Sequence, residues 1–315
     1  MTHTLGVVMD PIDTINPVKD TTLAMLLEAQ ARGYTTRYIE QGDISIRDGI
    51  SYCNSQKLQV ADDKHNWFEL SDPQTHALHE LDVILMRKDP PFDMEYIYST
   101  YALELAEQRG CLVVNKPQSL RDVSEKAFIS WFPQCCAETL ISRNPQQIRD
   151  FIDEQQRAVV KPLDGMGGES VFVTSADDKN KNVIIETVSR NATRSVMAQK
   201  FIPEISAGDK RILVIDGEPI PYALARIPTE GESRGNLAAG GSGEGVALSE
   251  RDRWICQQVG PELKQRGLLF VGLDVIGDYL TEINVTSPTC VRQLDAIYNI
   301  NISATLFDAI DKKLA

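Results

Sequence analysis

The run KPLDGMGGESVFV, Lys161 to Val173, opens with a lysine, packs three glycines into residues 165 to 168 and closes on a strand-forming sequence. Glycines this dense let a backbone approach a ligand closely, often a phosphate. The order of residues excludes the P-loop, because nothing here reads G-x-x-x-x-G-K-[ST]. A dinucleotide fingerprint fails too, since Ser170 stands where the third glycine of G-x-G-x-x-G would fall. Lys161 instead ends the apolar run Ala158-Val159-Val160, so the segment reads as a flap. One strand rises to the lysine, residues 165–168 turn, and residues 170–173 return as the next strand. A helix starting at Gly168 would contradict that reading.

Around the flap the pattern is that of a small α+β module. A helix is expected over 145–154 and further strands over 158–161, 170–174 and 196–202; Ser124 is placed to cap a helix running to Trp131. Upstream, strands are expected at 5–9, 35–40, 82–86 and 111–114, with helices at 21–32 and 94–109, each stopped by a glycine. That alternation predicts an open parallel sheet covered by helices, with ligands beyond the carboxyl ends of its strands, where Asp10 and Arg87 fall. Downstream, residues 211–217 and 219–227 form a hairpin signal around Gly217, followed by a helix at 250–266, strands at 268–276 and 279–285 and a last helix from Ser303. Between them, residues 231–245 carry six glycines in fifteen positions, a composition that suits a lid.

The chemistry-bearing set lies in LDVIGDYLTEINVTSP. Glu282 and Asn284 are i, i+2 and share a strand face, with Asp274 on the preceding strand. Two carboxylates and an amide oxygen make a hard site suited to Mg2+ between protein and nucleotide phosphates; a polar outer face of an edge hairpin is the other reading of the same pattern. Register separates the two. A plain two-residue turn at Gly277-Asp278 sets Asp274 opposite Thr281, whereas a three-residue loop or an equivalent bulge sets it opposite Glu282, and the shared site requires the latter. A cationic set, Lys126, Lys161, Arg211, Arg226 and Arg234, complements it.

The chain has 315 residues, enough for two or three domains, with 42% hydrophobic and 24% charged residues. A net charge of −13 argues against a nucleic-acid binder while leaving room for a local cationic cleft. No run approaches the length of a membrane span, and the N-terminus lacks a basic signal-peptide head, so a cytoplasmic protein is expected. The six cysteines show no CxxC spacing and are expected to be reduced, Cys290 alone deserving a watch. Four histidines, all in the first quarter, give no support to a Ser-His-Asp triad or His-bound zinc. Gly241-Ser242-Gly243 lacks the last glycine and the leading strand of a nucleophile elbow.

Lys126, the KPLDGMGG run, Asp209-Lys210-Arg211 and TEINVTSPT from Thr281 together resemble the ATP-grasp ligases. MRKDPP (86–91), VNKPQSLRD (114–122), RGNLAAGG (234–241) and FVGLD (270–274) narrow the resemblance to the bacterial glutathione synthetase family, from Gly6 nearly to the end. The resemblance implies an ATP-grasp fold of α/β and α+β class. Its parts would be an N-terminal open parallel-sheet substrate domain (1–122), a small nucleotide lid domain (123–202) and a C-terminal antiparallel-sheet domain (203–315) with a flexible glycine-rich loop at 227–245. It also implies an ATP-dependent ligase joining γ-glutamylcysteine to glycine through an acyl phosphate, with Mg2+ or Mn2+ as cofactor, small molecules as its partners, and a homotetrameric assembly.

By that resemblance Lys126 and Lys161 hold phosphates under the Gly165, Gly167 and Gly168 loop. Gln199, Lys200, Phe201 and Ile202 meet adenine, and Asp209 takes the ribose. Asp274, Glu282 and Asn284 bind the metal, while Arg226, supported by Arg211, faces the γ-phosphate and developing oxyanion. Ser287 and the loop holding Ser233, Arg234, Gly235 and Asn236 enclose the peptide, and Arg87 faces a substrate carboxylate. The family carries an arginine after Gly240-Gly241, where this chain has Ser242. The alternatives are another ATP-grasp ligase, of the D-alanine–D-alanine or ribosomal-protein glutamate type, and a non-catalytic nucleotide-binding regulator.

Overall fold

The computed structural model describes residues 3–88, 90–229 and 242–315. Strand β1 (Thr4–Val8) is apolar and buried along nearly its whole length, as a strand covered on both faces must be. Helix α1 (Thr21–Ala31) starts where the Asp20 carboxylate accepts a 2.6 Å bond from the Leu23 amide, and it returns the chain to β2 (Thr35–Ile39), parallel to β1. An insertion follows that the sequence reading left unassigned: β3 (Ile44–Arg47), β4 (Ile50–Val60), β5 (Phe68–Leu70) and β6 (Gln74–Ala77), all paired through β4. Then come β7 (Val83–Met86), α2 (Met94–Glu107), β8 (Leu112–Val114) and α3 (Pro117–Asp122).

The strand order is β3-β4-β2-β1-β7-β8. The expected parallel sheet is there as β2-β1-β7-β8, but β4 adds to its edge antiparallel, so the whole sheet is mixed. The carboxyl ends of β1 and β7 deliver Asp10 and Arg87 to one rim, where Lys88 Nζ lies 2.9 Å from Asp10 Oδ1.

The segment expected to form a helix from Ser124 is instead a 3-10 turn, Ala127–Trp131. Beyond it β9 (Thr139–Ser142), α4 (Pro145–Gln155), β10 (Arg157–Pro162), β11 (Phe172–Ser175), α5 (Lys181–Val188) and β12 (Val196–Lys200) build an antiparallel sheet of order β11-β10-β12-β9. Under its helices it has a core of its own: Ile148, Ile152, Ala158, Val160, Ile185, Val188, Val196 and Ala198 pack as a separate cluster. The flap is a hairpin, with Val160 opposite Phe172, and no helix begins at Gly168. The return strand starts two residues later than expected, because Gly167, Gly168 and Ser170 all take positive φ and keep the chain turning.

The third sheet runs β15-β14-β13-β16-β17, all antiparallel, from β13 (Asp209–Ile215), β14 (Glu218–Ile227), β15 (Ser242–Ala247), β16 (Phe270–Ile276) and β17 (Tyr279–Asn284). Helices α6 (Glu250–Gln265), α7 (Val291–Tyr298) and α8 (Ile302–Leu314) complete it. Gly217 makes the β13–β14 turn at φ +86°. Residues 242–245, read as the end of a flexible loop, belong to β15 and pair with β14 from Ser242 opposite Ile227 onward. Gly245 is small for packing there: a Cβ would sit 2.7 Å from Tyr298 Cε2. Two large apolar clusters run through both the first and the third sheets, so these share their cores, while the second sheet has a small cluster of its own and meets one large core through Met197 and Ile141.

Candidate active site

A two-residue turn joins β16 to β17, with Ile276 opposite Tyr279, and a bulge then resets the register so that Asp274 faces Glu282 and Gly272 faces Asn284. Thr281 is the extra residue, and its hydroxyl donates to the Asp274 carbonyl at 3.1 Å. The bulge therefore replaces the three-residue loop as the device that brings the two carboxylates to one side. Asn284 donates its amide nitrogen to the Gly272 carbonyl at 3.1 Å, keeping its oxygen as an acceptor. Glu282 Oε1 is 2.8 Å from Lys126 Nζ.

Asp274 sits deeper. Arg211 donates Nε to its Oδ1 at 2.5 Å and Nη2 to its Oδ2 at 3.0 Å, and Arg226 Nη2 adds a contact to Oδ2 at 2.8 Å. Burial alone would raise the pKa of this carboxyl, but the two guanidiniums outweigh it and hold the group well below the usual range. Gly272 makes the arrangement possible, because a Cβ there would meet Arg211 Cδ at 2.9 Å. Arg226 also binds Asp209 Oδ2. The other Asp209 oxygen, Oδ1, is buried without a hydrogen-bond partner among the described residues, and burial, opposed chiefly by Arg226, pushes this carboxyl up to about 6.

Lys161 is buried at the flap root, where its nearest acceptors, Gln199 Oε1 at 3.5 Å and the Thr281 carbonyl at 3.4 Å, lie at the long limit of a hydrogen bond. Burial lowers its pKa, with Lys126 adding to the shift and Glu282 opposing it. A buried ammonium so weakly satisfied favours an anion beside it. Lys126 behaves oppositely: burial would lower it, but Glu282 dominates and holds it above its ordinary value. Its ammonium also donates to the Gly165 carbonyl and so ties the flap down. Gly165 fits only without a side chain, since a Cβ would lie 2.7 Å from Pro162 Cγ.

These groups surround one cavity of about 470 Å³ between the second and third sheets, closed at the far end by the rim of the first. Val159, Val173, Phe201, Ile202 and Ile276 give it one apolar end. Every described residue singled out from the sequence lines it: the flap glycines, the two lysines, 199–202, Asp209, the two arginines, the Asp274 set, Arg87 and Ser287. Ser233, Arg234, Gly235 and Asn236 lie outside the described residues. Arg87 is braced at the rim, donating to Thr22 Oγ1 at 3.1 Å and the Pro288 carbonyl at 2.9 Å, while Ser287 donates to the Arg87 carbonyl at 3.1 Å. Asp20, Glu125, Thr22 and Thr286 also line the cavity and escaped the sequence reading; the last three are bonded to partners far away in the chain.

The fold is that of the ATP-grasp ligases. It superposes on D-cycloserine synthetase DcsG at a TM-score of 0.69 with 13% identity, covering 99% of this chain and 100% of that one. The ATP-grasp ligase PsnB, solved with a minimal precursor, Mg and ADP, matches at 0.62 with 15% identity over 98% of both chains. Sequence narrows the class. Residues 4–121 match the prokaryotic glutathione synthetase N-terminal domain and residues 125–299 the prokaryotic glutathione synthetase ATP-grasp domain. Glutathione synthetases of Pseudomonas putida (59% identical, 100% of this chain and 99% of the relative) and Yersinia pestis (58%, 99% and 98%) align end to end. The chain belongs to the prokaryotic glutathione synthetase family.

Proposed function

We infer that this chain is an ATP-dependent ligase that joins γ-glutamylcysteine to glycine, releasing ADP, phosphate and glutathione. The carrying observation is that one cavity gathers the lysines and arginines, the glycine flap and the hard-oxygen strand pair expected of a phosphoryl-transfer site. The family relationship favours this substrate pair over the other ATP-grasp ligases and over a non-catalytic regulator.

The peptide's cysteinyl carboxylate is a poor electrophile at neutral pH. One of its oxygens attacks the γ-phosphorus of ATP, the bond to the bridging oxygen breaks, and ADP leaves with that electron pair. Glycine's amine then adds to the acyl carbon, and the tetrahedral intermediate collapses by expelling phosphate as the amine gives up a proton. Lys161 and Lys126 are placed to hold phosphate oxygens, with the flap glycines closing over them. The apolar end, bounded by Phe201 and Ile202, suits adenine, and the unpartnered Asp209 Oδ1 is an acceptor ready for a ribose hydroxyl. Arg226 and Arg211, already fixed by Asp274 and Asp209, offer charge to the γ-phosphate and the oxyanion without reorganising.

The donor chemistry fits Mg2+ or Mn2+. Glu282 and the Asn284 amide oxygen face the cavity, and three guanidinium contacts on Asp274 leave it one acceptor site on Oδ1. When bound, the metal would neutralise charge on the β- and γ-phosphates. Arg87 and Ser287 would form the peptide end of the cleft.

The separate core of the second sheet supports three units divided near residues 122 and 202. No helix among the described residues is long and apolar enough to cross a membrane, in keeping with a cytoplasmic enzyme. A homotetramer is the expected assembly, to be checked by sedimentation. The decisive assay is ADP release with each dipeptide and amine acceptor in turn: γ-glutamylcysteine with glycine should give the fastest turnover, and equal or faster release with two D-alanines would reject the assignment.

A further inference from the structure

Strand β17 carries Glu282 and Asn284, yet among the described residues it lies at the edge of its sheet with only β16 beside it. An edge strand with a bulge at Thr281 has few ladder bonds to fix two ligand side chains. The other side of this strand is held by Glu125. Its backbone carbonyl accepts the Ile283 amide at 2.9 Å. Its Oε1 accepts three more bonds: the Val285 amide at 2.8 Å, the Thr286 amide at 3.1 Å and the Thr286 hydroxyl at 2.9 Å. The neighbouring Lys126 contacts Glu282 itself. Residues 125 and 126 thus grip β17 at Glu282 and Ile283 and the chain just beyond it at Val285 and Thr286, on both sides of Asn284.

We propose that Glu125 is a positioning residue of the active site, a carboxylate clamp that stands in for the missing neighbour strand and fixes Glu282 and Asn284 for the metal–nucleotide complex. The carboxylate suits the task because one oxygen can accept several donors, and charge-assisted bonds to backbone amides are stronger than neutral ones. Three bonds from described residues fall on Oε1, an acceptor of the kind that a glutamine oxygen also offers. Adjacency in the chain also couples it to the flap, since Lys126 reaches Glu282 and the Gly165 carbonyl from the same corner. The role in catalysis rests on the ligase reading above; the clamp itself does not.

The test compares wild type with Glu125→Gln and Glu125→Ala. Hydrogen exchange of the Val285 and Thr286 amides, measured without substrate, should accelerate about tenfold or more in Glu125→Ala. The KM for the metal–ATP complex should rise by a similar factor, whereas KM for glycine should stay near the wild-type value. Glu125→Gln, which keeps an acceptor oxygen, should recover most of both. Unchanged exchange and an unchanged metal–ATP KM in Glu125→Ala would overturn the clamp, as would a Gln variant no better than Ala. Should Glu125→Ala fail to fold, Thr286→Val removes one of the three donors and should produce the same pattern more weakly; its absence would also overturn the proposal. A wild-type enzyme that releases no ADP with γ-glutamylcysteine and glycine would reject the ligase reading while the exchange measurement still decides the clamp.

Discussion

The two sheets that close on the cavity are built differently. The flap sheet, β9 to β12, stands on its own cluster of eight small and branched side chains and joins a large core through Met197 and Ile141. The opposite sheet, β13 to β17, shares its interior with the N-terminal sheet: Val7, Leu85 and Val114 pack in the same cluster as Leu213, Phe270 and Phe307. A sheet tied to its neighbours by few buried side chains can open or tilt at lower cost than a sheet whose core is fused with theirs. The chemistry is divided accordingly. Lys161 and the glycines ride on the separable sheet, and Arg211, Arg226, Asp274, Glu282 and Asn284 sit on the fused one. An acyl phosphate hydrolyses in water, so a cover that moves over a fixed floor serves the reaction.

Four substitutions press on that contrast. The largest effect should come from the floor: Arg226→Ala removes a fixed donor and should lower kcat by about a hundredfold to a thousandfold in steady-state assays, with a smaller change in ATP binding. Next is the cover's core. Ile152→Ala empties a buried position and should cost about 2–5 kcal/mol, felt as faster hydrogen exchange confined to residues 139–200. Spread of that change into β16 and β17 would break the comparison.

Gly167→Ala is subtler. The site is sterically open but holds φ at +64°, so the strain should be about 1–2 kcal/mol, read as a several-fold rise in the KM for ATP at nearly constant kcat. The smallest effect concerns the seam of the fused body, where Asp311 of α8 accepts bonds from Tyr34 and from Arg32. Burial would raise its pKa, but those partners outweigh burial and lower it. Its contribution is therefore complete above the unfolded value of about 3.9 and fades as pH falls through the lowered folded value. Asp311→Asn should reduce the midpoint of thermal unfolding slightly at pH 7 and flatten its decline in acid.

The contrast was partly legible in the sequence. The parallel core strands, the flap hairpin and the need for Asp274 to face Glu282 all followed from period, glycine placement and register, which are local. The bulge at Thr281 was foreseeable as a requirement, though not as the particular device chosen. The insertion from 44 to 77 was missed despite its Asp48-Gly49 turn, where both residues take positive φ, a hairpin signal that the strand alternation around it supports. Glu125 offered no such signal, since its partners lie 160 and 161 residues away and only folding brings them together. The end of the glycine loop was misread for a related reason: Gly243 and Gly245 look like flexibility in sequence, yet β14, Leu224 and Tyr298 make them strand residues.

The central claim is that this cavity holds the peptide carboxylate for transfer of the γ-phosphoryl group. γ-Glutamylcysteine labelled with 18O in its cysteinyl carboxylate tests it in one turnover experiment. The account predicts one labelled oxygen in each inorganic phosphate released, formed only when ATP is present. Unlabelled phosphate accompanying glutathione would contradict it.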